Sequence, residues 1–194
     1  MVSRYLTVVT FSVPLLFAAG CELFETREPE PPAGARGSWE VPISPEDVLT
    51  NLSLSLFERN SSNYMRSFSP DSFVFMADPI VLQQHPSMSV WETANEQSHI
   101  NSLFSEGVLP SDSILFVVFS AIEQTLLGDT AHITTHYELT AQVAIAGSPG
   151  RMAGEAQFSL EIGDQGYWEI RRWSDQRTEE AASWSDLKAL VQSR

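Results

Sequence analysis

The chain has 194 residues and a formal net charge of −14, which arises from 25 acidic and 11 basic side chains. Such an acidic surface argues against nucleic-acid binding and against electrostatic attraction to anionic lipid headgroups. The single cysteine excludes an intrachain disulfide and a cysteine-based metal site, and the sequence contains no cofactor-binding motif.

Residues 1–20 have the pattern of a secretory signal peptide. Arg4 is the only charged residue, and the stretch that follows it is apolar or small. That stretch is shorter than the roughly 20 residues that a membrane-spanning helix needs. It ends in Ala18-Ala19-Gly20-Cys21, which resembles the lipobox of bacterial lipoproteins, although Ala18 stands where that family usually has leucine. The resemblance implies that the signal is removed and that Cys21 carries the lipid. An ordinary secretory signal with an incidental cysteine is the alternative.

The segment 21–40 is predicted to be an extended tether. It is rich in glutamate and proline, with a cluster at Pro29, Pro31 and Pro32. Such a composition cannot bury enough apolar surface to fold, and the prolines stiffen it. We therefore expect a lipid-anchored protein of the cell envelope, at the inner or the outer membrane, whose domain (41–194) is held away from the bilayer.

The first half of this domain is predicted to form helices around one short strand. Ser44-Pro45-Glu46-Asp47 provides a capping residue, a proline at the first helical position and acidic residues in the first turn. Apolar residues at helical spacing continue this helix to Phe57. The elements predicted next are a short helix carrying Tyr64, a strand over 73–76 that ends at Asp78-Pro79, a loop through His85, and a helix from Trp91 to Phe104.

The second half is predicted to form four long antiparallel strands and a closing helix. The stretch Ser113–Leu126 is apolar on both faces at first, which favours a central strand. The next two strands alternate apolar and polar residues, as a half-exposed sheet does. If 147–150 forms a four-residue loop, Leu139 lies opposite Phe158 and Tyr137 opposite Leu160. The last predicted elements are a strand, Tyr167–Asp175, and a helix, Ser183–Ser193.

This order of elements resembles the nuclear transport factor 2-like superfamily, also called SnoaL-like or ketosteroid-isomerase-like. The residues that carry the resemblance are the opening helix, the stretches 68–75 and 166–175, and Trp91 at the start of the third helix. The resemblance implies an α+β fold in which helices pack over a curved antiparallel sheet, a cystatin-like cone roll. It also implies a homodimer through the exposed sheet face as a candidate assembly. A different helix-on-sheet domain is the alternative.

Asp78 is the one residue that the resemblance connects with catalysis. In the isomerase branch, an Asp-Pro at the end of the first strand supplies a carboxylate base inside the cone, and a tyrosine of the first helix stabilises the oxyanion. The corresponding region here, 52–56, contains no tyrosine, and Tyr64 could replace it only by a different route. Asp78 is therefore either a structural turn residue, a ligand contact or a base, and we assign no catalytic residue.

The remaining candidate ligand contacts are Trp91 and His99 on the third helix. We expect His99 to lie on the helix surface, with the cone mouth as the alternative. His132 and His136 cannot share a metal ion, because four residues along a strand span about 13 Å, and no metal site is predicted. The expected function is that of a non-enzymatic envelope lipoprotein whose cone binds a small apolar ligand or a protein partner. The alternatives are an isomerase- or dehydratase-like enzyme using Asp78 and a structural dimerisation module.

Overall fold

A computed structural model describes residues 37–178 and 181–194. The predicted signal peptide, Cys21 and most of the tether lie outside the described residues. The described helices are α1 (Pro45–Phe57), α2 (Ser61–Met65), α3 (Pro79–Gln84), α4 (Thr93–Leu103) and α5 (Trp184–Gln192), with a 3-10 turn at Pro86–Ser89. The described strands are β1 (Val74–Met76), β2 (Leu115–Leu127), β3 (Thr130–Ala141), β4 (Arg151–Ile162) and β5 (Trp168–Arg177).

The strands form one five-stranded sheet in the order β1-β5-β4-β3-β2. Strands β2 to β5 pair antiparallel, and the short β1 pairs parallel with β5. Side chains of β3 alternate between buried and exposed positions, so one face of the sheet carries the core and the other faces water. The predicted α+β fold, with helices over a curved antiparallel sheet, is confirmed.

Local signals fix most helix ends where the sequence predicts them. Ser44 caps α1, and Asp47 completes a reciprocal capping box with it. The short helix α3 was not predicted, since this region was expected to be a loop. It forms because the Asp78 carboxylate accepts hydrogen bonds from the amides of Ile80 and Val81, and because Pro79 occupies its first turn.

The predicted register between β3 and β4 is wrong by six residues. Leu139 lies opposite Met152 and Tyr137 opposite Gly154, not opposite Phe158 and Leu160. The connection is longer than four residues because the chain after β3 turns away to bind elsewhere; the Ala144 amide, for example, donates to the Val108 carbonyl. Six is an even number, so every side chain keeps its predicted face despite the shift.

The prediction that β2 is a central strand is also wrong, because β2 is an edge of the sheet. Its outward residues Phe116 and Val118 are exposed, and so is Ile122 beside a bulge at which Ala121 has φ 50°. Apolar residues on both faces of a strand do not by themselves show that both faces are buried, because this depends on whether another element packs on each face. Here the covered face of β2 packs against α1, and the other face is open.

Helix α5 closes the concave side of the sheet. The Trp184 ring packs edge-on against Trp173, with 4.6 Å between ring centroids, and against Tyr137, with 5.5 Å between ring centroids. Around these rings lies a fully buried aromatic core, whose largest other members are Trp91, Tyr64, Phe73, Phe75 and Phe158. The centre of the cone is therefore filled by the chain's own side chains.

Candidate functional site

A fully buried ion pair joins α4 to α5 at the centre of the domain. The Lys188 ammonium lies 2.5 Å and 2.6 Å from the two carboxylate oxygens of Glu96, and both side chains have 0% exposure. The ammonium also lies 4.6 to 5.1 Å from the ring centroids of Phe75, Trp173 and Trp91. Lysine 188 is the only lysine of the chain, and the fold places it in the core rather than on the surface.

Two further donors complete the hydrogen bonding of Glu96. The Tyr64 hydroxyl donates to one oxygen and the Trp91 indole nitrogen donates to the other, each at 2.6 Å. Burial by itself would raise the pKa of Glu96, but the Lys188 ammonium and these hydrogen bonds outweigh it and hold the pKa below its usual value. Glu96 is therefore an ionised carboxylate whose oxygens are already occupied.

Asp78 lies apart from this cluster, at the start of α3. One oxygen accepts from the Ile80 and Val81 amides and from the Arg177 guanidinium, and the other accepts from the Arg177 amide at 3.0 Å. Burial would raise the pKa of Asp78, but these hydrogen bonds together lower it. A carboxylate engaged in this way is a weak base, because both its oxygens are in use and its affinity for a proton is reduced.

A second buried polar group joins β3, β5 and α5. The Tyr137 hydroxyl donates to Asp175 at 2.6 Å and accepts from the Trp184 amide at 2.7 Å. The other Asp175 oxygen accepts from the amide and the hydroxyl of Ser185. Burial raises the pKa of Asp175 although these hydrogen bonds oppose it. Asp175 thus anchors the first turn of α5, in the manner of a capping carboxylate.

A groove of about 660 Å³ opens at the surface where α4 meets the end of α5. We call it the α4–α5 groove. Its neutral polar lining comes from Asn95, Ser98, Asn101, Ser102, Ser105 and Gln192. Its apolar lining comes from Trp91, Val108 and Val191, and Arg194 is the single charged residue among the described residues that line it.

His99 also lines this groove, and its exposure is 4%. Neither ring nitrogen has a hydrogen-bond partner among the described residues, although the ring packs edge-on against Trp91 at 5.8 Å between centroids. Burial, together with the nearby Lys188 ammonium, lowers the pKa of His99 to about 3, while Glu96 opposes this. The imidazole is therefore neutral near pH 7, with one N–H donor and one acceptor nitrogen.

The structure brings together three of the four predicted ligand contacts. Tyr64 and Trp91 meet at Glu96, and His99 packs on Trp91, whereas Asp78 lies at the other end of α5 with Arg177. The expectation that His99 lies on the helix surface is wrong. It is buried because α5 packs over that face of α4.

Sequence reasoning missed Glu96 and Lys188. Glu96 shares a helix face with Ile100 and Leu103, at a spacing of four and seven residues, and this could have indicated burial. Lys188 likewise falls between Trp184 and Val191 on the apolar face of α5. The burial of these two residues was not predicted, because a charged residue is almost never fully buried unless it is paired. Here the two partners lie 92 positions apart in the sequence.

Within residues 37–178 and 181–194, no group of three or more histidine, cysteine, aspartate or glutamate side chains could hold a metal ion. No helix in the same residues is both long and apolar enough to cross a membrane.

Solved structures similar to this chain share its fold. A nuclear transport factor 2-like protein from Cytophaga hutchinsonii is 13% identical, with a TM-score of 0.52 over 69% of this chain and 94% of its own. A proposed scytalone dehydratase from Novosphingobium aromaticivorans is 12% identical, with a TM-score of 0.57 over 71% and 87%. A protein of unknown function with a cystatin-like fold from Nostoc punctiforme is 9% identical, with a TM-score of 0.50 over 72% and 97%.

At these identities the likeness shows the fold alone, which is the nuclear transport factor 2-like, cystatin-like fold that the order of elements predicts. No family model and no curated protein sequence matches the chain.

Proposed function

We propose that this chain is a lipid-anchored, non-catalytic protein of the cell envelope that binds a small ligand in the α4–α5 groove. The signal-like segment 1–20 and the lipobox-like sequence at Cys21 support the anchor, and the proline-rich tether supports a domain held away from the bilayer. Two or more acyl chains on one cysteine suffice for stable attachment without any other membrane contact.

One observation carries the binding function: His99 is buried at the groove with both ring nitrogens unpartnered. A buried polar atom without a hydrogen bond costs about 1–3 kcal/mol, so such atoms usually have a partner. The groove volume lies within the range of about 300–1,000 Å³ that small-molecule sites occupy. A ligand that reaches one of these nitrogens through a local shift of the side chains around it would supply a missing partner.

The groove is not the place where ligand binding was expected. The apolar centre of the cone, where an apolar ligand was expected, holds Trp184, Lys188 and the surrounding rings. The groove lies beside that filled centre and shares Trp91 with it, since the Trp91 indole nitrogen donates to Glu96. Ligand binding in the groove therefore needs no displacement of the core.

The enzyme alternative has less support than the binding function. An isomerase- or dehydratase-like reaction at Asp78 needs a free base with access to a substrate. The Asp78 carboxylate is held by Arg177 and two helix amides, and the interior carboxylates Glu96 and Asp175 are engaged in the same way. A carboxylate would have to lose several of these bonds before it could accept a substrate proton.

The binding function is tested with the full-length chain, solubilised in detergent and labelled with ¹⁵N-histidine. The chain has four histidines, so its ring nitrogens give few signals, and His99→Gln assigns those of His99. Three chemically different probes are added in turn: trehalose, octanoate and glycylalanine. We expect at least one to shift the His99 signals in a saturable way. Absence of a saturable shift from all three would contradict binding in the groove.

A second candidate function, a dimerisation module, is favoured by the open face of β2. Phe116, Val118 and Ile122 are 38%, 53% and 41% exposed there. Clustered exposed apolar residues on an edge strand commonly mark an interaction surface. Residues near the axis of a two-fold symmetric contact lie close to their own copies in the partner.

Val118→Cys tests the dimer in intact cells with a short bis-maleimide cross-linker. The matched control is Ser62→Cys, which places an exposed thiol on α2. A dimer through the sheet face should give a covalent dimer from the Val118 variant and only monomer from the Ser62 variant. Equal yields from the two variants would reject this interface.

A further inference from the structure

The side chains that line the α4–α5 groove limit the class of ligand that it can bind. Six of its lining side chains carry neutral hydroxyl or amide groups, and no described residue that lines it has a carboxylate side chain. Its one guanidinium, on Arg194, already donates to the Gly107 carbonyl at 2.9 Å. The groove is therefore rich in neutral hydrogen-bonding groups and poor in free charge.

This lining disfavours charged ligands. A cation would find no carboxylate among the described lining residues, and it would face Arg194 and, behind His99, the Lys188 ammonium. An anion would meet one exposed guanidinium on a chain whose formal charge is −14. A single exposed charge contributes little at physiological ionic strength, because solvent and salt screen it.

A purely apolar ligand fits no better. It would cover the hydroxyls of Ser98 and Ser102, which are exposed in the free groove, without giving them partners, and each polar group buried in that way costs free energy. The apolar part of the lining, which comes from Trp91, Val108 and Val191, makes up more of the groove surface than the polar part, so a ligand must also present apolar area. The best match is a molecule with several groups that each donate and accept hydrogen bonds.

We propose that the α4–α5 groove binds a neutral polyhydroxyl compound of the size of a mono- or disaccharide, with His99 as the buried contact at its base. This rests on the proposed function, since it names the ligand class of the same groove. One ligand hydroxyl hydrogen-bonds to one ring nitrogen of His99 after a local shift of the side chains that bury it, and the other nitrogen, which points in a different direction, takes no part in the contact. The hydroxyls of Ser98 and Ser102, one helical turn apart on α4, bind the outer part of the ligand.

The proposal is tested by titrating the full-length, ¹⁵N-histidine-labelled chain with trehalose. We expect saturable shifts of the His99 signals. Ser98→Ala with Ser102→Ala should weaken binding about tenfold, because two hydrogen bonds are lost at exposed positions that do not support the fold. The matched control is Ser62→Ala with Ser120→Ala, two exposed serines outside the groove, and it should bind trehalose unchanged.

A second variant, His99→Phe, keeps an aromatic ring against Trp91 and removes both nitrogens. It should lose trehalose binding, followed by isothermal calorimetry, while near-ultraviolet circular dichroism shows that the core is intact. If this variant or the Ser98/Ser102 pair binds trehalose as the parent does, the proposal is overturned. A His99 shift with octanoate or glycylalanine but not with trehalose overturns the ligand class and leaves the proposed function standing. No shift with any of the three overturns both.

Discussion

Two charges at the centre of this domain, those of Lys188 and Glu96, are paired with each other. Lys188 and Glu96 have no exposure, and each is held by the other and by aromatic rings or hydrogen-bond donors. A buried ion pair contributes little net stability, since the cost of taking two charges out of water offsets most of their attraction. Removing one partner is much more damaging, because the remaining charge is left in a site of low polarity.

Lys188→Met should therefore destabilise the domain by about 3–5 kcal/mol, measured as the free energy of unfolding in urea. The double variant Glu96→Gln with Lys188→Met should recover most of that loss, because no unpaired charge remains at this position and the glutamine oxygen still accepts from Tyr64 or Trp91. Glu46→Gln, an exposed change of the same chemistry, is the control and should have little effect. If the double variant is as unstable as Lys188→Met, the unpaired charge is not the cause.

Asp78→Ala should cost about 2 kcal/mol at pH 7, because it removes the cap of α3 and the ion pair with Arg177. The pKa of Asp78 is lowered in the folded chain, whereas in the unfolded chain it is about 3.9. The stability that the ionised carboxylate adds is therefore fully present above about pH 4 and is lost as the pH falls through the folded-state pKa.

The free energies of unfolding of the parent and of Asp78→Ala should thus differ by a constant amount from pH 7 to about pH 5 and converge below about pH 4. Urea unfolding at four pH values measures this, with the exposed Asp71→Ala as the control. A difference that stays constant down to pH 3 would show that the charge of Asp78 is not what stabilises α3.

Among the secondary-structure elements, α5 is the one that fills the interior of the cone. Its first turn is held by Asp175 and Tyr137, and it places Trp184, its first residue, and Lys188, in its middle, among the rings of the sheet. Its end, with Val191, forms one wall of the α4–α5 groove. The side chains of α5 therefore occupy the interior of the cone, and the end of the same helix lines the groove at the surface.

Trp184→Ala should destabilise the domain by about 3–5 kcal/mol, because it empties the contact between α5 and the sheet. Trp39→Ala is the matched control, since Trp39 is half-buried and packs edge-on against Tyr167 at the margin of the domain. Urea unfolding followed by far-ultraviolet circular dichroism compares the two. Equal losses in the two variants would mean that α5 is not a main contributor to the core.

At the scale of the whole molecule, an acidic domain is joined to a proposed lipid anchor by a proline-rich tether. A net charge of −14 disfavours contact with an anionic membrane surface, so lipid on Cys21 would be the sole attachment. The domain would then work at a distance that the tether sets, with both the groove and the β2 face accessible.

Cys21→Ala should move the chain from the membrane fraction to the soluble fraction, or else block its maturation before cleavage. Thr26→Ala, a change in the tether outside the lipobox-like sequence, should leave the chain in the membrane fraction. Fractionation of cells followed by immunoblotting measures both. A processed Cys21→Ala chain that stays in the membrane fraction would mean that something besides the lipid attaches it.

Sequence patterns were enough to predict the fold class, most element boundaries and the two faces of the sheet. These depend on local properties: the Ser44 cap, the glycine-rich turns and the period-2 alternation, which kept every side chain on its predicted face although the β3–β4 register was wrong by six residues. The sequence also predicted Asp78, Tyr64, Trp91 and His99 as contacts of one ligand, and the folded chain brings together the last three but not Asp78.

Which polar groups of that site keep or lack a hydrogen-bond partner follows only from long-range contacts in the folded chain. Glu96 meets Lys188 across 92 positions, Asp78 meets Arg177 across 99, and no local pattern reports such a pairing. The edge position of β2, the filling of the cone by α5 and the unpartnered nitrogens of His99 are likewise results of long-range packing. A residue's type fixes which hydrogen bonds it can make, but only the folded chain decides which are left for a ligand.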